Sequence, residues 1–170
     1  VGFYTGADDR LQTGFTYLPK AVLYGGEIEL QKYFPLGDLF AGSDFFATRR
    51  ALLIANYTYT KSKINADSTC VPNPAVAAGS PGLNGCASGF GQARLLFRDG
   101  APLTGQSDHL VNLQLGVEDT AALSQVTLLF NYASNRVTNR GPSYLSGDGF
   151  QPDIIEVPGI RLDLVARQGF

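Results

Sequence analysis

The stretch from Asp108 to Asn135, DHLVNLQLGVEDTAALSQVTLLFNYASN, constrains the fold more than any other part of the chain. On its first arm Val111, Leu113, Leu115 and Val117 share one parity, and Leu110, Asn112, Gln114, Gly116 and Glu118 share the other. On its second arm Val126, Leu128, Phe130 and Tyr132 alternate with Thr127, Leu129, Asn131, Ala133 and Asn135. Successive side chains of a strand point to opposite faces, so a period of two along both arms predicts two strands. The short connection from Asp119 to Ser124 makes them a hairpin. One apolar side opposite a mostly polar one admits two environments. In a soluble sandwich the apolar side is the core and the polar side meets water. In an outer-membrane barrel the apolar side meets lipid and the polar side meets a wet lumen.

Three more runs repeat the alternation. Val22, Tyr24, Gly26, Ile28 and Leu30 oppose Leu23, Gly25, Glu27, Glu29 and Gln31. Ala51, Leu53, Ala55, Tyr57 and Tyr59 oppose a side dominated by Asn56, Thr58, Thr60 and Ser62. Ile160, Leu162, Leu164 and Ala166 oppose Arg161, Asp163, Val165 and Arg167. The expected fold class is all-β, an antiparallel meander of about five long strands near 20–34, 48–62, 108–118, 125–137 and 158–169. Residues 1–19 read as loop with one strand end, and the connection over 35–47 has room for a short helical turn. The segments 63–107 and 138–157 read as long irregular loops, with 90–97 a strand extension or small hairpin inside the first.

Three features separate the two environments. The connections alternate between long and short, as outer loops and periplasmic turns do in barrels. No charge falls in the central apolar side of any run. Tyr24, Tyr57, Tyr59 and Tyr132 gather toward the long-loop ends, with Phe34, Phe45 and Phe46 toward the other, as interfacial belts require. The expectation is a segment of a larger transmembrane β-barrel. No apolar run approaches the ~18 residues of a membrane helix, so any crossing must be made by strands. A chain that begins at Val1 and holds no Met reads as processed or as a piece of something longer.

Candidate chemistry is sparse. Charged residues make up 16% of the chain and the net charge is −2, so no basic surface for nucleic acid stands out. Cys70 and Cys86 lie in one loop, where two cysteines closing a short segment favour a disulfide and an oxidising compartment. A metal site would need more ligands nearby. His109 is the single histidine and reads as a strand-end hydrogen-bonding group. The Ser-Gly-Asp-Gly run at 146–149 has too few oxygens for calcium, and Gly89-Phe90-Gly91 lacks the context of a phosphate loop. The sequon Asn56-Tyr57-Thr58 falls inside a strand. With no constellation for catalysis, neither an enzyme nor a cofactor is expected.

The phrases PLTGQSDHLVNLQLGVED, VTLLFNYASNRV and PDIIEVPGIRLDLVARQGF resemble the C-terminal barrel region of TonB-dependent outer-membrane receptors. GGEIELQKYFPLGDLF followed by LLIANYTYTKSKI is similar to it as well. The resemblance covers residues 20–64 and 102–170 and leaves out the Cys-containing loop. It implies a barrel of about twenty-two strands, filled by an N-terminal plug. It also implies import of scarce nutrients, such as iron chelates or other small molecules, driven through the plug by the TonB energy-coupling complex. The chain has no plug and no TonB box, so the resemblance is to an interior piece of the barrel in the bacterial outer membrane, cut at both ends. Its partners are then the remaining barrel and plug, membrane lipid and a small-molecule ligand.

On parity, Glu27, Glu29, Asn112, Gln114, Glu118, Asn131, Arg161 and Asp163 should face the lumen, as a wall toward plug or substrate. The plainer reading is that any wet lumen is polar and that pairs such as Asp163 with Arg161 or Arg167 are structural. Two other functions stay open. A released fragment could self-assemble through its open strand edges into a filament. A secreted β-sandwich could bind ligands with its Gly-rich loops.

Overall fold

The computed structural model describes residues 2–5, 11–14, 17, 20–73, 81–142 and 149–169. In chain order the elements are β1 (Gly2–Thr5), β2 (Leu11–Gly14), β3 (Ala21–Pro35), α1 (Leu36–Leu39), α2 (Asp44–Ala47), β4 (Arg49–Ile64), β5 (Cys70–Pro72), β6 (Phe90–Gln92), α3 (Ala93–Leu96), β7 (His109–Asp119), β8 (Ser124–Ala133), β9 (Arg136–Asn139), β10 (Ile154–Glu156) and β11 (Gly159–Arg167). The protein is mostly β. A five-stranded antiparallel sheet in the order β11-β8-β7-β4-β3 carries the long runs, and the pairs β1-β2, β5-β6 and β9-β10 form separate small hairpins. Among the described residues the sheet is open, with β3 and β11 at its edges.

Two compact units divide the chain, one over 25–60, 107–135 and 157–170, the other over 1–24, 61–106 and 136–156. The first holds the sheet. Its register lines side chains up in rows across the strands. Tyr57, Val111, Tyr132 and Ile160 form one row, and Ala55, Leu113, Phe130 and Leu162 the next. Leu53, Leu115, Leu128 and Leu164 follow, then Ala51, Val117, Val126 and Ala166. These rows make one continuous apolar face, and nothing among the described residues covers it. Leu162 is 62% exposed and Leu164 72%, while Leu115, Val117, Val126 and Leu128 are exposed as well. Exposed leucines scattered singly are ordinary; a contiguous face of them is not.

Strand length fits the alternation. β7, β8 and β11 have 11, 10 and 9 residues, close to the ~9–11 that cross a bilayer at a tilt. β3 and β4 are longer, at 15 and 16 residues. The fourth run stops earlier than its pattern predicts. It ends at Ala133, and Ser134 beyond it stays tied to the start of β7. The Ser134 amide donates to the His109 carbonyl at 3.0 Å, and its hydroxyl accepts from the His109 amide at 3.1 Å. Residues 136–139 then pair with β10 instead of continuing the sheet.

The second unit corrects the expectation of irregular loops. Residues 2–5 and 11–14 pair as a hairpin, although the sequence reads there as loop. Over 63–107, Ile64, Ala66, Val71 and Ala93 form a buried cluster against which Leu96, Phe97 and Leu103 pack. The expected element at 90–97 is a short strand, β6, paired with β5, followed by one turn of helix, α3. The backbone around the cluster is satisfied by local bonds, such as Ile64 N to Ala101 O at 2.8 Å and Ala93 N to Thr69 O at 2.8 Å. Cys70 and Cys86 are joined by a disulfide across a separation of 16 residues. Closing a loop of that size stabilises it by about 3 kcal/mol in the chain-entropy account.

The buried cluster makes a testable demand. Ile64→Ala should cost about 2–5 kcal/mol of this unit's local stability, read as faster hydrogen exchange at the amides of 64, 93 and 101. Unchanged exchange at those amides would mean that the cluster does not hold the segment together.

Candidate functional site

The polar face of the sheet is built by the same register. Asn56, Asn112, Asn131 and Arg161 fall in one row. Ile54, Gln114, Leu129 and Asp163 form the next, then Leu52, Gly116, Thr127 and Val165, and last Arg50, Glu118, Gln125 and Arg167. Of the residues that parity assigns to this side, Asn112, Gln114, Glu118, Asn131, Arg161 and Asp163 therefore stand together. Glu27 of β3 joins them, because its Oε1 accepts a hydrogen bond from the Asn56 amide. Glu29 shares the parity of Glu27 and is exposed on the edge strand.

Several of these groups are already engaged. Arg50 donates to Glu118. Arg161 lies 2.8 Å from Asp163 two residues along its own strand. Both pairs are at the surface, where such contacts are worth about 0–1 kcal/mol. They set side-chain position more than stability. In the Asn row, Asn56 is held by Glu27 and by the Thr58 hydroxyl.

A concavity of about 280 Å³ lies on this face, lined by Gln114, Gln125, Thr127, Leu129, Val165 and Arg167. Gly116 sits beside it. A Cβ at Gly116 would stand 3.1 Å from the Thr127 hydroxyl, so any larger residue would crowd that hydroxyl and the backbone of β8. Gln125 donates to Thr127 at 3.1 Å. Gln125, Thr127 and Arg167 were not singled out by sequence, although the alternation that selects Gln114 and Asn131 places them on the same side. The apolar Leu129 and Val165 on that side are what made it read as mostly, not wholly, polar.

His109 behaves as a strand-end group. Its Nδ1 shares a hydrogen bond with the Tyr57 hydroxyl at 2.8 Å, and its ring lies 5.3 Å from that of Tyr59. Among the described residues no three of His, Cys, Asp and Glu gather as a metal site. The Ser-Gly-Asp-Gly run lies outside the described residues except for Gly149.

In the second unit the sequence suggests no arginine cluster, yet the fold makes one. Asp153 Oδ2 takes Arg140 at 2.6 Å and Arg98 at 3.2 Å, and its Oδ1 accepts from the Gly141 amide at 3.0 Å. Arg98 lies over the Phe150 ring at 5.4 Å. The cluster ties 98–102 to 140–153, since Arg140 also donates to the Pro102 carbonyl. Burial pushes the Asp153 carboxyl up, but the Gly141 amide and the two guanidiniums outweigh it and hold it below the ordinary value of 3.8.

Compared with protein-family models, curated proteins and solved structures, the chain matches none.

The Asp153 clasp gives a pH prediction. A carboxylate whose folded value is depressed stabilises the fold at every pH above its unfolded value. That contribution fades as pH falls through 3.8 and on toward the lower folded value. Limited proteolysis between 98 and 153 should accelerate over that acid window. Asp153→Asn should be more open at neutral pH and show a flatter acid response. An acid limb unchanged in the variant would assign the sensitivity to other groups.

Proposed function

We propose that this chain is part of the barrel wall of a TonB-dependent outer-membrane receptor, which imports a small molecule without bond chemistry. The observation that carries the reading is the uncovered apolar face that runs across β4, β7, β8 and β11. Lipid is a cover that needs no further protein, and the opposite face suits a wet lumen. Tyr57 and Tyr132 share the row nearest the long connections, and Tyr59 with His109 lies just beyond it. That is where an aromatic belt would meet the outer headgroups. The disulfide in the 63–107 connection suits an oxidising exterior.

In this reading Glu27, Glu29, the Asn row and the concavity beside Gly116 face the plug and the passing solute. The disulfide-bonded segment and the Asp153 clasp lie in the outer loops. The remaining barrel strands, the plug, the energy-coupling complex that acts through it and membrane lipid are the partners. The transported ligand is an iron chelate or another small molecule. Arg98 and Arg140 are both held by Asp153, so they are not free cations awaiting an anionic solute. The open edges favour a second reading, self-assembly into a filament, in which β3 and β11 recruit other copies.

Site-directed spin labels distinguish lipid from water on each face. In bilayers, labels at Leu113 and Leu128 should respond to dissolved oxygen, and labels at Gln114 and Asn131 to an aqueous relaxer. The reverse pattern would sink the receptor-wall reading. In the same bilayers Leu128→Arg should cost about 2–4 kcal/mol near the midplane, whereas Asn131→Arg should cost little because water solvates the guanidinium. Urea unfolding measures both. Equal small costs would mean that the apolar face meets water.

A further inference from the structure

The connection between β3 and β4 lies within the sheet unit and is shaped more than a turn requires. Its two helical turns, α1 and α2, touch where Gly37 lies against Ala47. A Cβ on Gly37 would stand 3.3 Å from the Ala47 Cα, so the two turns approach closely there. Phe40 N donates to Leu36 O at 2.9 Å, Ser43 N to Phe40 O at 3.2 Å and Phe46 N to Ser43 O at 3.1 Å, a run of bonds that links the two turns. The Phe40 and Phe46 rings stack at 4.6 Å, and Phe45 meets Phe46 edge-on at 5.0 Å. Yet this ordered cluster points outward. Leu39 is 71% exposed and Phe45 63%, and Phe34 and Phe40 are exposed too.

The side on which the cluster lies is decided by Arg49. This residue shares the parity of Ala51 and Leu53, and its register partner Asp119 shares that of Val117. Arg49 and Asp119, 3.0 Å apart, therefore close the apolar face at its short-turn end. The Arg49 guanidinium lies 3.6 Å from the Phe45 ring centroid and donates to the Phe45 carbonyl. Phe45 thus stands on the apolar side of the sheet, and the phenylalanine cluster adds apolar surface beyond the Arg49–Asp119 pair.

We propose that residues 36–47 are an interfacial membrane anchor, with Leu39, Phe40 and Phe45 seated at the headgroup level of the leaflet on the short-turn side. The inference rests on the reading of the apolar face as lipid-facing. A phospholipid interface is the occupant that this geometry fits. The cluster lies on the side of the apolar rows, just beyond the Arg49–Asp119 pair that ends them, and rings set beside polar groups suit the interface. Arg49 has its charge met by Asp119 and by the Phe45 ring, and Lys32, exposed on β3 with the parity of Phe34, can carry its ammonium to headgroup phosphates at the same level. Asp38 and Asp44, the charges of the loop, are exposed and free to reach water.

The chain holds no Trp, so a single introduced indole reports alone. Phe45→Trp and Leu39→Trp would be compared with Leu128→Trp in phosphatidylcholine bilayers brominated near the headgroup or near the chain ends. The loop reporters should be quenched by the shallow bromines and spared by the deep ones, while Leu128→Trp responds to the deep ones. Loop reporters quenched only by aqueous acrylamide, beside a deeply quenched Leu128→Trp, would overturn the anchor and leave the wall reading standing. Loop reporters shielded from both lipid and acrylamide would replace the membrane with a protein partner. Acrylamide quenching of all three would remove the lipid-facing reading and the anchor with it.

Discussion

The fold depends on what covers one face of one sheet. Taking a single Leu or Val from water to an apolar phase is worth about 1.5–3 kcal/mol. The rows from Tyr57 to Ile160 and from Leu53 to Leu164 hold many such residues, all on one side. A domain's whole stability is about 5–15 kcal/mol, so the cover of this face outweighs any ion pair or hydrogen bond in the molecule. The backbone ladder satisfies the interior strands without help. The side chains have no such internal answer. The surroundings of the sheet are thus part of its folding problem, and this separates it from the second unit, whose small cluster around Val71 is buried by its own segment.

The strand ends show how the apolar face is closed off. At the short-turn end Asp119 gathers Thr48 at 2.9 Å, the amides of Ala121 and Ala122, and Arg49. A carboxylate that accepts two turn amides fixes the hairpin and also ends the apolar rows with a compensated charge. At the other end Tyr57, Tyr59 and His109 mix rings with hydrogen-bonding groups. Polar groups are met locally at both ends, by Asp119 at one and by the Tyr57–His109 bond at the other, while the rows between them carry no charge. The alternation along the strands and the chemistry at their ends therefore bound one uncharged band across the sheet.

The sheet was legible because its information is local. A period of two in Val111 to Val117 or Val126 to Tyr132 fixes facing without any knowledge of partners, and the short 119–124 connection fixes which strands are neighbours. The polar-face residues followed from the same parity, which also reaches Gln125 and Arg167. The second unit was not legible, for equally physical reasons. Ile64, Ala66, Val71 and Ala93 follow no periodicity, and three are small, so their clustering depends on loop paths and a disulfide. The Arg98–Asp153 contact joins positions 55 residues apart, and nothing near either residue announces the other. β8 stops at Ala133 because residues 136–139 pair with β10, a partner that no local propensity announces. Phe45 could be assigned to an end of the sheet by sequence, but only its stacking on Arg49 assigns it to a side.

Strand direction bears on how the open edges are filled. Each neighbouring pair in the sheet is antiparallel, and three strands lie between one edge strand and the other. β3 and β11 consequently run the same way. Copies added head to tail, with β3 of one against β11 of the next, would meet as parallel strands. Every junction would interrupt the antiparallel ladder with the slightly weaker pairing. Two-fold pairing of β3 with itself keeps the ladder antiparallel but sets the Glu27 and Glu29 edge against its own image, and like charges directly opposite are destabilising. Completion by further antiparallel strands meets neither obstacle. Filling both edges and closing the ring that way takes an odd number of additional strands, which makes the total even, as in bacterial outer-membrane barrels. On that count the open edges suit further antiparallel strands better than simple repetition of this sheet.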